Sequence, residues 1–215
     1  MAPDMLPPDP DLPLLHTRNY EVRAFKKNDN TLILRGAVKD DKPAGLYVPG
    51  DTEPLTIHHM IVDLEVAFPS LEITGAQVVF ETHPHTLCPT ITEHYEKLVG
   101  LSIARGFTHR VRELFGGPRG CTHTTMLLQS MAPVAVQCFW SMQVLKAHEV
   151  GESPRPAATT DERKRMVTMN LNTCHVWDED GDQIAAVNAG RPMEPPLQIM
   201  RRFRELGKDP GDWQR

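Results

Sequence analysis

Apolar and polar residues alternate along much of the chain's first third. The runs RNYEVRAFK, from Arg18, and TLILRGAV are separated by Asn28, Asp29 and Asn30. Asn and Asp tolerate the backbone of a tight turn, so the pattern predicts a β-hairpin. From Asp40 to Pro54 three prolines and two glycines interrupt the alternation and predict a loop. Alternation resumes in IHHMIVDLEV, where a period of two places His58, Met60, Val62, Leu64 and Val66 on one face and His59, Ile61, Asp63 and Glu65 on the other. After a Pro69-Ser70 turn, LEITGAQVVFE predicts a further strand, with Gly75 as a candidate bulge.

Helical spacing takes over beyond THPHTLCP. Thr90 to Glu93 matches a capping box, Ile91, Tyr95 and Leu98 form a stripe, and Gly100 supplies a left-handed stop. A second helix is expected from about Thr108 to Phe115, ended by Gly116-Gly117-Pro118. A third, from near Thr122, is apolar almost all round (Met126, Leu127, Leu128, Met131, Val134, Val136, Phe139, Trp140), which predicts a central buried helix kinked at Pro133. Gly151 to Thr160 reads as a Pro-rich linker. MVTMNLNTCHVW, DEDGD and QIAAV read as a last strand pair around a turn, and LQIMRRFREL as an amphipathic helix with Ile199, Met200, Phe203 and Leu206 inward.

Composition narrows the function classes. No run of about 18 apolar residues exists, which argues against a membrane-spanning helix. MAPDMLPPDPDLPLL has no basic residue before its apolar positions and contains five prolines, so it fails as a secretory signal, and a cytoplasmic protein is expected. With 23 Lys+Arg against 28 Asp+Glu and a net charge of -5, the chain lacks the basic balance of a general nucleic-acid binder; a small molecule or a protein is the expected partner. Four cysteines are too few for a disulfide scaffold and read as thiols, metal ligands or core residues.

The candidate chemistry gathers where elements begin and end. His58 starts a strand, His83, His85 and Cys88 lie between strand and helix, and Cys121 and His123 stand where a helix begins. Helix N-termini present free N–H groups and partial positive charge, which favour a thiolate. Thiolate with imidazole suits zinc or an iron-sulfur cluster, and a tetrahedral site draws four such groups from separate segments. His58, Cys88, Cys121 and His123 are the metal-ligand candidates, with Cys174 and His175 in reserve; Cys88 and Cys121 are also the candidate nucleophiles. A buried cysteine equally serves as a small hydrophobe, which is the reading for Cys138 and stays open for Cys88 and Cys121. His83 and His85 read as solvent-exposed, and His16, His94, His109 and His148 as surface residues. Arg105, Arg110, Arg112 and Arg119 cluster before Cys121, either to hold an anionic substrate or as a solvated helix face.

The segments IHHM, LCP before the capped helix, YEKLVGLSIARGFTHRVRELFGGPRGCTH, NTCHVW and RRFRELG resemble a bacterial family catalogued as a domain of unknown function, over nearly all of Arg18 to Gly207. That resemblance implies no activity. Residues 57–140 are also similar to the scaffold proteins of iron-sulfur cluster assembly, of the IscU and NifU type. In those scaffolds, three cysteines and an Asp or His at such junctions hold a cluster or zinc. The similarity implies His58 in the first cysteine position, Cys88 in the second and Cys121 in the third. The chain departs from that pattern at Met60, which stands where the scaffolds have Asp, at Gly120, where they have His, and at His123, which follows Cys121.

The expected architecture is α+β, an antiparallel sheet with helices packed on one face. Residues 1–15 are expected to be a disordered Pro-rich tail, 16–207 a single domain and 208–215 a C-terminal tail. Three functions follow: a cytoplasmic metal-binding protein with zinc or iron in a mixed His/Cys site, a small-molecule catabolic enzyme using a cysteine thiolate or metal-activated water, and a non-catalytic partner or regulatory module.

Overall fold

The computed structural model describes residues 5–104, 106–151, 161, 164, 167, 168, 170–191 and 196–209. It has two compact units, Met1–Met142 and Gln143–Arg215. Arg105, nearly all of the Gly151–Thr160 linker and the last residues of the C-terminal tail lie outside the described residues.

The first unit is built on a four-stranded antiparallel sheet of β1 (Thr17–Asn28), β2 (Thr31–Lys42), β3 (Leu55–Ala67) and β4 (Ile73–Thr82), ordered as in the chain. The hairpin turns where the Asn-Asp-Asn run predicts, with the Asn30 N–H donating to Asn28 Oδ1 at 2.9 Å. The parity read from β3 holds: Met60, Val62, Leu64 and Val66 are buried, together with Leu32, Leu34 and Val38 of β2. The opposite face carries cross-strand ion pairs, Arg35 to Asp63 and Lys27 to Glu65. The register of β3 and β4 shifts next to the expected position: Gly75 pairs with Glu65, and Thr74 is the residue passed over before Ile73 pairs with Val66.

After β4 comes a 3-10 helix, Cys88–Leu98, then α1 (Phe107–Phe115) and α2 (Thr122–Glu149). The capping box does not form: Thr90 donates its hydroxyl to the Leu87 carbonyl, and Leu87 is the residue before the first turn. Tyr95 and Leu98 are buried as expected, and Gly100 has a φ of 87°, the left-handed conformation its stop requires. α2 covers the apolar face of the sheet closely. A Cβ on Gly36 would lie 2.8 Å from Met131 Sδ and 3.1 Å from Leu127 Cδ1, so a residue without a side chain admits the helix there. Pro133 stands inside α2. The helix is not buried all round: Thr124, Thr125, Leu127, Leu128, Met131, Ala135 and Met142 are enclosed, while Met126 is exposed and Val134, Val136, Phe139 and Trp140 are half-buried.

The loop after β2 begins at Pro43, two residues beyond the sheet's Asp41, rather than at Asp40. Cross-strand pairing continues through Lys39, Asp40 and Asp41, whose charges mask a strand end in the sequence.

In the second unit the expected strand pair is replaced by helical turns, a 3-10 turn at His175–Trp177 and α3 (Asp182–Asn188), whereas the expected closing helix is present as α4 (Leu197–Glu205). Asn172 takes a φ of 58° in the turn that precedes Cys174, and its side chain accepts the Glu179 N–H. Ile184 and Val187, three apart on α3, pack with Val167, Leu171 and Trp177. In α4 Met200 is buried and Ile199 and Phe203 are half-buried, whereas Leu206, expected inward, caps the helix and is exposed.

Candidate metal centre

Two-residue periodicity positions the site. Arg18 pairs directly with Asp40, and Asp40 with His58, so three polar side chains form one rung across β1, β2 and β3 on the helix-covered face. The fourth member comes from above: His123 is the second residue of α2. Asp40 is fully buried and receives all of them. The Arg18 guanidinium forks onto it, Nε to Oδ1 and Nη2 to Oδ2, both at 2.6 Å. His58 Nδ1 lies 3.0 Å from Oδ2, and His123 Nε2 lies 3.2 Å from the same oxygen. The two imidazoles stack with ring centroids 3.9 Å apart. On the other oxygen, His16 Nε2 approaches Oδ1 at 3.3 Å.

The start of α2 is fixed from beneath. Tyr95 is buried and stacks on Phe115 at 4.8 Å, and its hydroxyl accepts the Cys121 N–H at 2.8 Å. Gly120 makes that approach feasible, because a Cβ there would lie 2.6 Å from the Phe115 carbonyl oxygen and 3.0 Å from Tyr95 Oη. Tyr95→Phe is expected to leave the Cys121 N–H unpaired, costing about 1–3 kcal/mol in urea unfolding. Unchanged stability would show that the hydroxyl does not anchor this turn.

Charge and burial set the protonation states. The Arg18 hydrogen bonds, with further help from His123 and His58, hold the Asp40 carboxyl far below the usual carboxylate range, against the opposing effect of burial. His123 titrates below its ordinary value, first because it is partly desolvated and then because His58 and Arg18 add positive charge, with Asp40 opposing. Its lone pair is therefore available near neutral pH. Acid favours the unfolded chain, whose histidine takes up the proton sooner. The stability His123 contributes is thus complete above about pH 6.5 and is lost as pH falls through its lower folded value. In metal-free protein the urea midpoint should drop on acidification over that window, and His123→Gln should flatten the profile. A profile unaltered by the substitution would contradict the assignment.

Of the expected residues, His58 and His123 converge. Cys121 stands beside them, its Sγ 3.7 Å from His123 Nδ1. Cys88 opens the 3-10 helix, half-buried, its N–H donating to the His85 carbonyl, and is not among the groups on Asp40. Cys174 and His175 are exposed in the second unit. Cys138 is half-buried in α2, where burial pushes its thiol up. Of the arginines, Arg110 pairs with Glu113, Arg119 donates to the carbonyls of Arg112 and Glu113, and Arg112 is exposed. Asp40, Arg18 and His16 are the members that sequence reasoning missed. The available signal was an acid on the parity of Leu32, Leu34 and Val38.

Asp40, His58 and His123 each offer one donor atom, and all three atoms lie within 4.8 Å of one another. Zinc bonds of about 2.0–2.2 Å to nitrogen and oxygen place tetrahedral donors about 3.4 Å apart, close to the separations from Asp40 to either imidazole. No helix among the described residues is long and apolar enough to cross a membrane. No curated protein and no solved structure matches the chain. A family model described as "Protein of unknown function (DUF2889)" matches residues 16–137, more than half of the 215 and a span containing all five residues gathered at the site. The chain belongs to the DUF2889 family.

Proposed function

We propose that the chain is a metal-binding protein in which Asp40, His58 and His123 hold one zinc or ferrous ion. The supporting observation is the convergence of two imidazole nitrogens on a single oxygen of a buried carboxylate. Two histidines and one carboxylate, with further positions open, are the donor set of mononuclear iron(II) sites and of catalytic zinc sites. The ion would take over the contacts of the two imidazole nitrogens with Asp40 Oδ2, while Arg18, bonded to both carboxylate oxygens, holds the group in orientation. An open position suits small-molecule chemistry, with metal-activated water as one route. The four cysteines are all free, in keeping with a cytoplasmic setting.

Metal analysis of the untagged full chain tests this. The expected result is one zinc or iron per chain, lost in His58→Ala and in His123→Ala and retained in His59→Ala, whose side chain points to the other face. Protein that remains metal-free when offered Zn2+ or Fe2+ refutes the reading.

A second reading rests on the line from Cys121 Sγ to His123 Nδ1 and from His123 Nε2 to Asp40 Oδ2. Thiol, imidazole and carboxylate in that order suit a thiol enzyme, with Cys121 as nucleophile and His123 as its proton acceptor. Fast alkylation of Cys121 by iodoacetamide near neutral pH, slowed in His123→Ala, supports it; alkylation at the rate of a free thiol in metal-free protein removes it.

A further inference from the structure

The exposure of Asp40 and the four residues around it is graded. Asp40 is 1% exposed, His123 19% and His58 21%, whereas His16 and Arg18 reach 36% and 37%. The site therefore has a closed end at the carboxylate and an open end at the guanidinium. Arg18 commits Nε and one Nη2 proton to Asp40 and interacts with the Tyr20 hydroxyl as well, which of its five N–H groups still leaves donors over. His16 adds a third imidazole on the same side of the carboxylate, next to Oδ1. The neighbouring acid, Asp41, is turned away to Thr56 and Lys39.

Charge then points to a ligand. With a divalent ion in place and the imidazoles neutral, the site carries two positive charges from the metal and one from Arg18 against the single negative charge of Asp40. An excess of positive charge beside a buried carboxylate and half-buried imidazoles calls for an anion. We propose, resting on the metal reading above, that the centre takes a small oxyanionic ligand, a carboxylate or a phosphate ester. One of its oxygens fills an open metal position while the outer N–H groups of Arg18 hold another, with His16 at the rim. The metal and Arg18 then form a two-point clamp on one planar or tetrahedral anion. With its fork anchored on Asp40, the planar guanidinium presents its remaining N–H groups in a fixed direction, which a lysine does not reproduce.

The test uses the full chain loaded with Co2+, whose visible absorption reports both occupancy and coordination. Acetate and methylphosphonate are titrated in separately, one arm for each source of the anion. The expected result is a saturable spectral change with at least one of them. Read on the protein that carries Co2+, with the metal content of each variant measured alongside, the apparent anion affinity should fall about tenfold or more in Arg18→Lys and severalfold in His16→Gln, whose side chain is exposed. Failure to bind Co2+ at all overturns the metal reading and this inference with it. Co2+ bound with a spectrum indifferent to both anions overturns the inference alone, and so does equal anion affinity in wild type, Arg18→Lys and His16→Gln.

Discussion

Asp40→Ala is expected to abolish metal binding and to destabilise the first unit by about 3 kcal/mol, the low end for breaking a buried ion pair. The carboxylate is the acceptor for Arg18, His16, His58 and His123, so its removal leaves several donors facing one void. The low end applies because Arg18 is partly exposed and can turn to water. Urea unfolding of metal-free protein isolates the structural part, and metal content reports the rest. A loss below about 1 kcal/mol would mean that the rung does not depend on its acid.

The other large effect is expected at the contact between helix and sheet. Leu127 is wholly enclosed and faces the space above Gly36, so Leu127→Ala should cost about 2–5 kcal/mol from lost burial and the cavity left behind. Met126, one residue earlier, is 46% exposed, and Met126→Ala should stay within about 0.5 kcal/mol. Equal costs at the two positions would show that the buried side of α2 is misassigned.

Much of this arrangement was legible because a strand with one buried face writes its parity into the sequence. The run from His58 to Val66 identified the covered face of β3, and His58 was placed on it. Cys121 and His123 stood out because polar, chemically active side chains at the start of an otherwise apolar helix are conspicuous. Asp40 was obscured by its neighbours: Lys39, Asp41, Lys42 and Pro43 have loop composition, although Asp40 follows Leu32, Leu34 and Val38 in step. Its burial is tolerable only through partners supplied by β1, β3 and α2, which no local window contains. Cys88 drew attention by residue type and by its place before a helix, yet the turn that follows is 3-10 and its capping box is unused. In the second unit short apolar runs fit either period, and the i, i+3 pair Ile184 and Val187 decides for helix only once their common partners are known.

Because the centre is a single rung, its tolerance of changes in chain length is uneven. Deleting one residue between Thr31 and Lys39 would carry Asp40 to the ion-paired face unless the hairpin absorbed the shift, disconnecting Arg18, His58 and His123 together. Insertions in the connection from Pro43 to Pro54 leave both flanking strands in register, at an entropic cost that grows only slowly with length. Natural variants that alter length should therefore concentrate in that connection, and frame-preserving single-codon losses within β2 should behave as nulls for the centre while many substitutions there remain silent.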